Sequence, residues 1–239
     1  MIRRAGGNQE IPRPPLWREG TPPPWSVPSP PLTTAEVLGR LADRFHAEPA
    51  PDWSTDPTEL ASSAVLILLA DGPDGAEVLL TRRPWHMRTH KGEVTCPGGR
   101  LDPGESFEAT ALREAHEEVG LMPTDVQVVG RLHPMRLVIS QTWVVPVVAR
   151  IPHPVPLIGH AAEVDRVFWV PLHDFTAPGT YHEEHWSRLT LPDGDLHEVS
   201  ILFFDLDDET VWGLTGRFIA HMLEAVYATA SRTPPPIDA

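Results

Sequence analysis

Three glutamates, Glu114, Glu117 and Glu118, stand at i, i+3 and i+4 within the stretch GRLDPGESFEATALREAHEEVGL, which runs from Gly99 to Leu121. On a helix, that spacing projects all three carboxylates from one face. Like charges so placed cost a few tenths of a kcal/mol each in a bare helix (roughly 0.2–0.5). Such a face is built where something cationic sits on it. Hard oxygen ligands converging from one rigid element are what Mg²⁺ takes, beside waters and substrate phosphates. The bland alternative is a solvated acidic helix face. Glu108, near the same helix but outside the pattern, reads as surface charge.

Those carboxylates need a helix, a loop before it and a sheet beneath it. The stretch reads as loop, helix over about residues 106–119, then loop, with Gly120 where a left-handed C-cap belongs and Gly104 in the preceding turn. Ala64 to Ala70, AVLILLA, is a buried-strand pattern; DGPDG at 71–75 turns it into EVLLTRR, which predicts a hairpin. The loop PWHMRTHKGEVTCPGG then delivers the chain to the glutamate segment. Further strands are expected at 125–132, 141–151 and 164–170. A second hairpin is expected around PDGD at 192–195, joining WSRLTL to HEVSILFFDL. Thr33 or Thr34 caps a helix reaching to about Phe45, with Val37, Leu38, Leu41 and Phe45 on one stripe. An amphipathic helix over about 209–229 carries Val211, Leu214, Phe218, Met222 and Val226. Interleaved strands and helices give an α/β fold.

The chain of 239 residues suits one domain with extensions. Residues 1–32 hold nine prolines and read as a mobile or surface-wrapped Pro-rich extension, with residues 33–230 the domain and 231–239 a disordered tail. A net charge of −14 argues against a nucleic-acid-binding face, which would be basic. An acidic enzyme still handles an anionic substrate if bound cations invert the local field. The lone cysteine, Cys96, allows no intrachain disulfide and reads as a packed small residue rather than a nucleophile. The opening residues carry two arginines but no apolar core, so they do not read as a secretory signal. No apolar run approaches the roughly 18 residues of a membrane span. A cytoplasmic location is the expectation. The sequence is compatible with a homodimer but fixes no oligomeric state.

Gly99, Glu105, Arg113, Glu114, Glu117, Glu118 and Gly120 together resemble, letter for letter, the box of the Nudix hydrolase superfamily. Seven fixed letters at roughly one in fifteen each would match by chance about once in a million chains of this length. The resemblance implies an α-β-α sandwich around a mixed sheet, holding two or three Mg²⁺ or Mn²⁺ ions beside a pyrophosphate. Glu114, Glu117, Glu118 and the Gly99 carbonyl are then the metal ligands, Glu114 and Glu118 foremost. Arg113 and Glu105 form an ion pair that locks the loop and orients the ligand face. The catalytic set is Glu105, Arg113, Glu114 and Glu117, with the general base left between Glu117 and later residues such as Glu163.

Upstream, Leu79-Leu80-Thr81, Arg83, Arg88, Gly92 and Pro97-Gly98-Gly99 resemble the pattern of the coenzyme A pyrophosphatase branch, which splits coenzyme A into adenosine 3′,5′-bisphosphate and 4′-phosphopantetheine. Nine of eleven defined positions match; the departures are Pro84, where Ser or Ala is usual, and Cys96, where Phe is usual. Trp212 to Arg217, WGLTGR, resembles that branch's final helix. A 3′-phosphorylated ADP half needs cations besides the metals, and Arg83, Arg88 and Lys91, with Arg82 beside them, cluster just before the box; arginine suits bidentate phosphate contact. The competing substrates are ADP-ribose, NADH and (d)NTPs. The ADP-ribose group usually has a proline about fifteen residues past the box; here Pro134 lies thirteen past Leu121. A non-hydrolytic nucleotide sensor is a further alternative, as is an interaction protein recruited through the Pro-rich arm. His182-Glu183-Glu184-His185 does not have the four-residue histidine spacing of a zinc-protease helix.

Overall fold

The computed structural model describes residues 6–45, 62–137, 142–188 and 197–228. In chain order come strand β1 (Trp17–Glu19), helix α1 (Thr34–Leu41), and strands β2 (Ser62–Gly72), β3 (Gly75–Arg82), β4 (Val94–Thr95) and β5 (Gly98–Arg100). Helix α2 (Phe107–Val119) is followed by β6 (Gln127–Arg131), β7 (Met135–Leu137), β8 (Thr142–Arg150) and β9 (Arg166–Pro171). The chain ends its described part with β10 (Tyr181–Arg188), β11 (His197–Asp205), β12 (Thr210–Trp212) and helix α3 (Gly213–Tyr227).

A near-continuous apolar run makes β2 the central strand of a mixed sheet, because only a strand covered on both faces reads that way. It pairs antiparallel with β3 through the predicted turn, Gly72 opposite Gly75, and parallel with β8, Ser62 opposite Trp143. The sheet runs β4-β3-β2-β8-β6, with β5 beside β2, β7 beside β8 and β9 beside β3. Alternation then sorts the side chains. Ala64, Leu66 and Leu68 meet Ala111, Ala115 and Val119 of α2. Ile67 and Leu69 face the other way, toward Val37 and Leu41 of α1 and Phe218, Met222 and Leu223 of α3. Helices on both faces give the expected sandwich. Each fully buried leucine of β2 contributes about 1.5–3 kcal/mol.

A second, antiparallel sheet runs β1-β10-β11-β12. Its β10–β11 pairing matches the second predicted hairpin, while the turn itself lies outside the described residues. The last helix is shorter than expected. Thr210-Val211-Trp212, β-branched and aromatic, pairs with β11 as β12, and α3 begins only at Gly213, whose φ of +63° breaks from the strand. The proline-rich arm wraps the surface. Trp17–Glu19 adds to the edge of β10, and Trp25 is buried edge-on against Tyr181 at 5.1 Å. Arg13 reaches from the arm to Glu184, a fully buried carboxylate, with Nε donating to Oε2 at 2.8 Å and Nη2 lying 2.8 Å from Oε1. The Trp186 indole donates to the same carboxylate at 2.8 Å. No helix among the described residues is long and apolar enough to cross a membrane.

Candidate active site

Helix α2 begins where Ser106 accepts a hydrogen bond from the Ala109 N–H at 3.2 Å, and it ends at Gly120 with φ +73°. Its small buried residues Ala111 and Ala115 let it lie close on β2, which fixes Glu114, Glu117 and Glu118 at one end of the sheet. Strand β5 pairs with Ala64 and Val65 of β2 and carries Gly98 and Gly99 past them. A Cβ on Gly99 would lie 2.3 Å from Glu114 Oε1, and one on Gly98 would lie 2.3 Å from the Ala64 carbonyl. Both glycines serve close approach.

The glutamates differ in exposure. Glu118 is 6% exposed, and its Oε2 accepts one long bond, 3.3 Å, from the Gly98 N–H. Burial pushes its carboxyl up to about 7; the Gly98 bond and the Arg83 charge oppose this, while Glu114 and Glu163 add to it. Burial also raises Glu114, against the hydrogen bond and charge of Arg113. Glu117 is more open, 56% exposed.

Arg113 ties the face together. Its Nε donates to Glu105 Oε1 at 2.9 Å and its Nη2 to Oε2 at 3.1 Å, while Nη1 donates to Glu114 Oε1 at 3.0 Å and Glu117 Oε2 at 3.1 Å. Nη2 also bonds the Arg100 carbonyl at 3.0 Å, so the guanidinium joins loop and helix. Glu105 accepts Thr110 Oγ1 at 2.7 Å as well, and the Arg113 bond first, then Thr110, hold its carboxyl down at about 2. With Arg113 engaging Glu114 and Glu117, no three histidine, cysteine or carboxylate side chains among the described residues form a closed metal-binding set as placed. The donor set nevertheless fits a hard divalent cation: a buried carboxylate, two more beside it and a backbone strand within reach.

Glu163 enters from the segment before β9. Its N–H and that of Val164 bond the His160 carbonyl at 2.9 and 2.8 Å, and the His160 N–H bonds the Glu118 carbonyl at 2.7 Å. That turn sets the exposed Glu163 where its charge raises both Glu114 and Glu118.

The upstream cations part company. Arg83 acts electrostatically on Glu118, and its Nε is buried with no partner among the described residues. Its neighbour Arg82 instead pairs with Asp165 at 2.6 Å and with Glu209. Lys91 pairs with Glu10 of the arm at 2.7 Å, and Arg88 is exposed. Glu108, read from the sequence as surface charge, is bridged by Arg131, Nη2 donating to Oε2 at 2.8 Å. Cys96 is buried, and burial pushes its thiol up to about 12, which fits a packing role. His182 and His185 lie on strand β10, where successive side chains face opposite ways, so they form no helical metal motif. Trp85, 40% exposed on the loop after β3, had no sequence signal; neither periodicity nor motif marks it.

A family model described as NUDIX domain matches residues 60–192. The chain is 35% identical over 202 residues to a protein of Yersinia pestis described as the uncharacterised Nudix hydrolase NudL, covering 82% of this chain and 98% of the relative. A protein of Yersinia pseudotuberculosis with the same description matches to the same extent. Among solved structures, a MutT/nudix family protein from Enterococcus faecalis aligns over 81% of this chain and 69% of its own, at 20% identity and a TM-score of 0.45.

Proposed function

The chain belongs to the Nudix hydrolases, and on that premise we propose that it is a divalent-metal-dependent diphosphatase that cleaves coenzyme A or its derivatives to adenosine 3′,5′-bisphosphate and 4′-phosphopantetheine. The observation that carries the reaction class is the buried Glu118 carboxylate, under the charges of Glu114 and Glu163, with a counter-charge from Arg83, whose Nε has no partner among the described residues. Such a cluster needs a cation on one side and an anion on the other.

In this reading Glu114, Glu117, Glu118 and the Gly99 carbonyl hold Mg²⁺ or Mn²⁺. Divalent cations held there would supply neutralisation of phosphate charge and a lowered pKa for an attacking water. Arg113 is a positioning residue: its bonds to Glu105 and the Arg100 carbonyl would hold the loop on the helix while Glu114 and Glu117 served the cations. Arg83 presents its free Nε–H to a phosphate oxygen, and Arg88 and Lys91 supply further positive charge from the loop. Glu163 is the better general base than Glu117. Glu117 is engaged by Arg113, whereas Glu163 stands on a tethered turn from which its charge acts on Glu114 and Glu118. The upstream pattern of Arg83, Arg88 and Gly92 supports coenzyme A as substrate.

The test is a product assay by mass spectrometry, offering coenzyme A, acetyl-coenzyme A, ADP-ribose, NADH and dNTPs separately with Mg²⁺ or Mn²⁺, beside Glu118→Gln. Adenosine 3′,5′-bisphosphate from coenzyme A, absent in the variant, is expected. Cleavage of ADP-ribose, NADH or dNTPs alone would overturn the substrate, and metal-dependent nucleotide binding without turnover would make the chain a sensor.

A further inference from the structure

Thr110 shares the glutamate face of α2. Glu114, Glu117 and Glu118 follow it at i+4, i+7 and i+8, so it lies one turn ahead of them on the same stripe. It is fully buried. A mid-helix hydroxyl commonly bonds back to the carbonyl one turn earlier. That of Thr110 donates to Glu105 Oε2, at 2.7 Å. We propose that Thr110 is a positioning residue for the cation site: its hydroxyl anchors Glu105 to the body of the helix, and so keeps Arg113 from closing on the carboxylates that would hold the cations. The inference rests on the metal-dependent reading above.

The division of Arg113 makes that anchor matter. One guanidinium serves two sets of acceptors. Nε and Nη2 hold Glu105, at 2.9 and 3.1 Å, while Nη1 holds Glu114 and Glu117, at 3.0 and 3.1 Å. A Glu105 carboxylate that drifted from Nε and Nη2 would turn more of the guanidinium's charge on Glu114 and Glu117. There it competes with a divalent cation for the same oxygens.

Glu105 itself stands on the loop before the helix. Its Oε2 takes three donors: Thr110 Oγ1, Arg113 Nη2 and, at 3.2 Å, the Asp102 N–H. Asp102 belongs to the same loop, and Arg113 is the group being divided. Thr110 alone of the three is a short side chain rooted in the helix, β-branched and stiff at χ1. Its hydroxyl, buried with the rest of the residue, would be costly to leave without an acceptor, so the bond is held from both ends.

Mn²⁺ binding to the full-length protein, read by calorimetry without substrate, tests this. Thr110→Val keeps the shape and removes the hydroxyl; it should weaken Mn²⁺ about tenfold, the low end of what loss of an outer partner costs a metal site. Thr110→Ala also lacks the hydroxyl and suits a helix, so it should weaken Mn²⁺ equally and covers the case in which valine does not fold. Thr110→Ser restores the hydroxyl and should bind Mn²⁺ as the parent does. Melting in excess chelator separates the roles. A lower melting temperature with unchanged Mn²⁺ affinity in the valine and alanine variants would make Thr110 purely structural and overturn the proposal. A serine variant that binds as weakly as alanine would overturn it too. Neither result touches the diphosphatase reading. Failure of the parent protein to bind Mn²⁺ would overturn that reading, and the role of Thr110 with it.

Discussion

Replacing Glu118 by glutamine should make the metal-free protein more stable at pH 8. In the native state the Glu118 carboxyl is pushed from 4.5 to about 7 by burial and then by Glu114 and Glu163, so its charged form is disfavoured on folding. A carboxyl with a raised native pKa supports the fold fully below its unfolded pKa. That support is lost as pH rises through the native value. The window is therefore pH 4.5 to about 7. Raising the carboxyl from 4.5 to about 7 corresponds to about 3 kcal/mol of strain above pH 7. Glutamine removes the charge, and its amide oxygen can still accept from the Gly98 N–H. In excess chelator at pH 8, Glu118→Gln should raise the melting temperature by about 5–10 °C. At pH 4.5 parent and variant should melt together. Mg²⁺ at about one thousand times the parent's dissociation constant should reverse the order, because the parent then gains about 4.1 kcal/mol and the variant little. A variant that melts lower than the parent at pH 8 in chelator, or a difference independent of pH, would refute the assignment of strain to this carboxylate.

Three further outcomes are expected. Arg13→Ala strips Glu184 of its bidentate partner inside the protein, which should cost about 3–5 kcal/mol by chemical denaturation, and Arg13→Ala with Glu184→Gln should recover part of that. Gly99→Ala drives a Cβ into the flexible end of Glu114 rather than into backbone, so the melting temperature should move little while metal-dependent turnover falls at least about tenfold. Cys96, with its thiol pushed up to about 12 and buried, should resist iodoacetamide at pH 8 in the native protein and react once unfolded, as read by intact mass.

The helix that carries the glutamates was legible because its information is local. The i, i+3, i+4 spacing, the serine cap and Gly120 all lie within one short segment, as does the β2–β3 turn. The partition of Arg82 from Arg83 follows from strand alternation but names neither partner, since Asp165, Glu209 and Glu118 lie far along the chain. Thr210-Val211-Trp212 read as the start of a helix because its apolar residues continue the α3 stripe; only the partner strand reveals β12. The arm's partners were the least legible. Its prolines speak for solvated, extended chain, and nothing nearby announces that Arg13 will neutralise a carboxylate 171 residues away.

That arm bears on the order in which the molecule is completed. Residues 6–29 bond almost entirely to late partners: Gly6 to Leu206, Gln9 to Glu209, Arg18 to Glu198, Ser29 to Thr176, and Trp25 to Ala228 at the end of the last helix. The arm, which is synthesised before all of these partners, must therefore wait for them before it can dock. Closure of such long loops is slow, so the second sheet should consolidate last, after the β2-centred sheet and α2 have formed. A tag inserted just ahead of the arm would sit on the segment that seals the fold.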